Sequence, residues 1–143
     1  MGEDYLPQER KTRSKTMTIK MYELTNFPTF YEKIRTEKLP FKTSYHLALI
    51  AQEAERHINY YQEQFRSILT EFGQKDENGN LIPTADGQGI MLIEDRMEEA
   101  YAKITELRNL EVALPDYTFS SNDFGKIELT LEEMAVIMPF IKD

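Results

Sequence analysis

Between Leu47 and Phe72 the apolar residues fall at Leu47, Ala51, Ala54, Ile58, Tyr61, Phe65, Ile68 and Phe72, spaced alternately four and three apart. A stripe held this regularly for almost four heptads is the mark of a helix that packs lengthwise on another. Neither Pro nor Gly interrupts Lys42 to Phe72, and Gly73 follows as a stop signal. Such a helix extends about 45 Å at 1.5 Å per residue, too long for a compact domain of this size to cover along its whole length. Part of its flank must therefore meet another segment or another subunit.

A second stripe, Ile93, Met97, Ala100, Ile104 and Leu107, repeats the same spacing over about half the length. Glu94, Asp95, Glu98 and Glu99 load its start with negative charge and Arg108 sits in its last turn, both favoured by the helix dipole. The two stripes predict an antiparallel helical hairpin with coiled-coil-like packing. The connection, Lys75 to Leu92, crowds Asp, Asn and Gly together as calcium loops and tight turns do. Counted as an EF-hand loop from Asp76, its sixth and twelfth positions hold Leu81 and Gly87, where Gly and Glu are required. Asn78-Gly79 and Asp86-Gly87 suit tight turns instead, so the segment reads as a small β-ribbon joining the helices.

The flanking segments are shorter. Met17 to Leu24 alternates Met17, Ile19 and Met21 against Thr18, Lys20 and Tyr22, which predicts a strand. Thr25 or Asn26 then caps a short helix that carries Phe27, Phe30, Tyr31 and Ile34 and ends near Glu37. After Leu110, "EVAL", "YTF" and "KIEL" are strand candidates and "SSNDFG" a polar loop. Thr130 and Glu133 form a capping box, Leu129 and Met134 a hydrophobic staple, and Met134, Ile137, Met138 and Ile141 one apolar helix face that Pro139 shortens. The expected fold is mainly α with small β elements. It comprises one helical domain over 17–143 and a basic N-terminal extension over 1–16.

Charge is unevenly placed. Residues 1–42 hold nine Lys and Arg against six Asp and Glu, while residues 43–143 hold eight against nineteen. Arg10, Lys11, Arg13 and Lys15 supply most of the basic excess, in a segment without apolar periodicity that reads as a solvated arm or as a contact for nucleic acid or an acidic partner. The acidic remainder argues against double-stranded DNA as a ligand, because phosphate neutralisation dominates that binding. No apolar run is long enough to span a bilayer, the start does not read as a signal peptide, and Leu6 occupies the place where myristoylation needs Ser or Thr. The absence of cysteine removes disulfides, zinc–thiolate sites and thiol catalysis.

Catalytic templates are missing. There is no phosphate loop, nucleophile elbow or H-E-x-x-H. His46 and His57 lie about 16 Å apart along the long helix, too far to share a metal, and Glu53 with His57 reads as a solvated i, i+4 pair. The carboxylate pairs Glu98-Glu99 and Glu132-Glu133 stand where helix starts favour them. No enzyme activity, cofactor or metal is expected. Tyr45 and Tyr60 lie off the stripe of the long helix, so they read either as interface anchors or as a second core face.

The order "EKLPFKTSYHLALIAQEAE", a long helix, "EFGQKDENGN", a shorter helix with "ELRNLEV" and a final "ELTLEEMAVIMPFI" resembles small proteins of unknown function encoded by tailed bacteriophages and prophages. The likeness covers roughly residues 17–143 and is strongest over Lys38 to Ser44, Phe72 to Asn80 and Thr130 to Ile141. It implies a virion, tail or assembly component in the particle or the host cytoplasm, acting through a homo-oligomer or contacts with phage structural proteins. The alternative is an acidic inhibitor of a host defence system that mimics nucleic acid or sequesters a nucleotide. The family offers no catalytic residues to carry over.

Overall fold

The computed structural model describes residues 16–143, so Arg10, Lys11, Arg13 and Lys15 lie outside the described residues. The fold is mainly α, with one small antiparallel sheet.

Strand β1, Thr16–Lys20, pairs antiparallel with β2, Glu111–Pro115, setting Met17 opposite Leu114 and Ile19 opposite Val112. The expected strand to Leu24 stops four residues early, because Met21–Leu24 forms a single helical turn, α1. Its cause is local and tertiary together. The Lys20 N–H donates to Glu23 Oε1 at 2.9 Å, which opens the turn. Met21 and Leu24 are both buried, and two residues three apart share a face in a helix but not in a strand. Helix α2, Phe27–Ile34, then buries Phe27, Phe30 and Ile34. It ends three residues short of Glu37, and Asn26 occupies the N-cap position without a side-chain hydrogen bond.

Helix α3, Phe41–Phe72, runs 32 residues, about 48 Å at 1.5 Å per residue. Gly73 ends it in an extended conformation, φ −82°, rather than the left-handed one usual for a glycine stop. A β-carbon on Gly73 would come within 2.5 Å of the Leu69 carbonyl oxygen and 2.7 Å of Leu81 Cδ2, so the position needs glycine for close approach. The following ribbon is tied by bridges between Gly73 and Leu92, Lys75 and Leu81, and Pro83 and Ile90. It turns at Gly79 and Gly87, both at positive φ. Asp76 Oδ1 accepts from the N–H groups of Asn78 and Asn80, fixing the first turn.

A 3-10 turn, Glu94–Arg96, leads into α4, Met97–Arg108, which returns antiparallel along the C-terminal half of α3. Arg96 pins the junction. Its guanidinium lies 4.3 Å over the Phe72 ring and 3.4 Å from carboxylate oxygens of both Glu71 and Glu99.

Past β2 the sequence expectations change most. "YTF" and "KIEL" do not form strands; Phe119 makes only an isolated parallel bridge to Ile141. Its edges contact the rings of Phe124 and Phe140, at centroid distances of 5.6 and 6.5 Å. Within "SSNDFG" a 3-10 turn, Ser121–Phe124, is capped by Ser120. The last helix, α5, Leu131–Ile137, begins with the expected capping box: Thr130 Oγ1 accepts from the Glu133 N–H and Glu133 Oε1 from the Thr130 N–H. Its buried face differs from the expected one. Ile137 and Phe140 enter the core with Val136 and Leu129 partly buried behind them, while Leu131, Met134 and Met138 are exposed. The staple expected between Leu129 and Met134 therefore has one partly buried and one exposed member. Docking on α2, which places Lys33 Nζ 3.2 Å from Glu133 Oε1, turns the helix this way.

Candidate functional site

The core surrounds the N-terminal half of α3. Leu47, Ile50, Ala54 and Ile58 are buried there against the sheet, α1 and Phe119. Ile50 lies off the 4-3 stripe, yet it is fully enclosed. Sequence reading missed it because a helix buried on a broad face uses more positions than a two-helix seam. His57 is held to the sheet as well, its Nε2 lying 3.0 Å from the Ala113 carbonyl oxygen. Glu53 bonds Arg56 instead, at 2.7 Å, so the expected Glu53–His57 pair is replaced by two separate contacts.

The C-terminal half of α3 is covered differently. Phe72, Ala100 and Leu107 are buried where α3 meets α4, with Ile68, Ile93, Met97 and Ile104 half-buried beside them. Ala51, Tyr61 and Phe65 are also half-buried. Helix α4 spans only about 18 Å and lies along the flank of Gln64, Ile68 and Glu71. The other flank, Tyr61, Gln62, Phe65, Arg66 and Leu69, lines a shallow open groove. Tyr61 and Phe65 lean together there with centroids 5.8 Å apart. Tyr60, 49% exposed, stands on the α4 side at the edge of a second groove shared with Lys103, Glu106 and Leu110.

A different surface forms where α3 begins. Phe41 is 84% and Tyr45 54% exposed, and their rings lie 6.1 Å apart, within 6° of parallel. Both interface candidates, Tyr45 and Tyr60, are thus on the surface rather than in a second core face. His46, next along, stacks on Tyr117 at 3.9 Å and 4°. Burial, reinforced by the charge of Lys42, pushes the His46 imidazole below its usual pKa. The neutral ring therefore dominates at neutral pH. Phe41 and Tyr117 escaped the sequence reading; the i, i+4 spacing of Phe41 and Tyr45 was the available signal.

A cleft of 120 Å³ opens between α1, α2 and α5, lined by Leu24, Phe27, Leu114, Val136 and Phe140 among others. Its walls are continuous with the core. No group of His, Asp and Glu with metal-site geometry occurs among the described residues. No helix among them is long and apolar enough to cross a membrane. No family model, curated protein or solved structure matches the chain.

Proposed function

We propose that this chain is a non-enzymatic interaction protein of bacteriophage type, a virion, tail or assembly component that works through self-association. The observation that carries this reading is the open flank of α3. Tyr61, Phe65 and Leu69 recur every four residues beyond the reach of α4 and line a groove to solvent. A second copy that lays its own flank there completes a four-helix arrangement, the ordinary way in which paired helices bury a remaining stripe. The likeness of Lys38 to Ser44, Phe72 to Asn80 and Thr130 to Ile141 to phage and prophage proteins supplies the context.

Light scattering on the eluting full chain tests this reading. The expected mass is a multiple of 16.8 kDa, falling to one chain in Phe65→Glu while the far-ultraviolet dichroism is kept. A wild-type chain that stays monomeric at high concentration overturns it. A second reading, an acidic inhibitor of a host defence system, draws on Glu94, Asp95, Glu98 and Glu99, all exposed at the start of α4. It predicts that a host protein is captured from lysate by the wild type and lost when Glu94, Glu98 and Glu99 are reversed to Lys.

A further inference from the structure

We propose that Asn78 is a site of spontaneous covalent modification, at which the side-chain amide closes on the Gly79 nitrogen and then hydrolyses to leave aspartate or isoaspartate in the first turn of the ribbon. The step needs only water. The Gly79 nitrogen attacks the side-chain carbonyl carbon of Asn78, a new C–N bond forms, and the amide nitrogen leaves as ammonia with the proton that Gly79 gives up. Water then opens the five-membered imide. Opening at the side-chain carbonyl gives aspartate. Opening at the main-chain carbonyl gives isoaspartate, whose chain continues through the side-chain carbons and is one atom longer.

Asparagine is a labile residue, and access to the nitrogen that follows it decides which asparagine reacts. Of the six in the chain only Asn78 precedes a glycine, whose missing β-carbon leaves that nitrogen open. Asn78 and Gly79 are both exposed, and nothing lies within 4 Å of the place a Gly79 β-carbon would take. The turn is held by the Asp76 carboxylate, which accepts from the N–H groups of Asn78 and Asn80, and by the Gly79 N–H, which donates to the Asp76 carbonyl oxygen at 3.0 Å. None of these bonds engages the Asn78 side-chain amide. The Gly79 bond sits at a solvent-exposed tip, where local opening costs little.

The other asparagines are guarded. Asn59 lies inside α3, and Asn109 Nδ2 donates to the Thr105 carbonyl oxygen at 3.0 Å. The N–H that follows Asn122 donates to the Ser120 carbonyl oxygen at 2.9 Å, while Asn26 and Asn80 precede the bulky Phe27 and Leu81. Asp86-Gly87, the second turn of the ribbon, is guarded by charge. The Thr84 hydroxyl and then the Gln88 N–H hold the Asp86 carboxyl below its usual pKa, and a carboxylate has no leaving group to match an amide. Isoaspartate at position 78 puts an extra main-chain atom into the loop that the Asp76 N–H closes on the Asn80 carbonyl oxygen at 2.8 Å. The first turn loses that closure, whereas the Gly73–Leu92 bridge lies beyond it. The step belongs to the ribbon and does not depend on the Phe65 flank.

Peptide mapping by mass spectrometry, on the full chain incubated folded at mildly alkaline pH, tests the proposal. Conversion at Asn78 is expected to run ahead of that at every other asparagine, with oxygen from isotope-labelled water incorporated there. An isoaspartate-specific methyltransferase should label the product, and anion exchange should resolve a new, more acidic species. That species is expected to be lost in Asn78→Ser, which dichroism shows to be folded. Conversion at Asn78 no faster than at Asn80 overturns the proposal, as does an acidic species that persists in Asn78→Ser. A folded chain that resists while the urea-denatured chain converts also overturns it, because the turn then shields the amide instead of exposing it.

Discussion

At Gly73 the chain has no room for a β-carbon, since the Leu69 carbonyl oxygen and the Leu81 side chain already occupy its position. Gly73→Ala is expected to destabilise the protein by about 1–3 kcal/mol through forced displacement of the ribbon. Gly89→Ala, whose nearest neighbour would be Thr84 Cγ2 at 3.8 Å, is the control that should change little. Chemical denaturation of the two variants separates a close-approach role from a general intolerance of change in this segment. His46 gives a second prediction at this scale. Its pKa in the fold lies below the unfolded value of 6.5, so the unfolded chain binds more protons between those two values. Stability therefore rises with pH through that window and is lost as pH falls below about 6.5. His46→Phe keeps a ring against Tyr117 and removes this part of the pH dependence. Denaturation midpoints at about pH 7.5 and about pH 5.5 should differ less in the variant than in the wild type.

Among the elements, α5 shows what a local signal can and cannot specify. The Thr130–Glu133 capping box was legible because it involves four consecutive residues and needs no partner. Thr130→Ala should cost about 1 kcal/mol in denaturant unfolding. The backbone N–H of Thr130, and then Lys33, hold the Glu133 carboxyl below its usual 4.5. Its contribution is therefore fully present above that value and is lost as pH falls through the lower folded value. Which side of α5 faces inward was not legible. Leu131 is 90% exposed although the sequence offers it as an ordinary apolar residue; contact with α2 and the Phe119–Phe140 pair selects Ile137 instead. The same distinction runs through the chain. An uninterrupted stripe announced α3 in full, whereas Met21 and Leu24 reveal their helical turn only once both must reach one core. The aromatic surface of Phe41, Tyr45, His46 and Tyr117 joins residues far apart in sequence, so only its first pair left a trace.

For the whole molecule, the length of α3 poses the question that its partners answer unequally. The sheet, α1 and Phe119 close over the N-terminal half, and α4 closes over one flank of the C-terminal half, leaving Tyr61, Phe65 and Leu69 on the other. If a second copy covers that flank, folding and association are linked, and dilution must lower the unfolding midpoint by mass action. The thermal midpoint of the wild type is then expected to fall steadily through a dilution series, whereas that of Phe65→Glu stays level. A wild-type midpoint independent of concentration, together with a single-chain mass, removes the self-association reading.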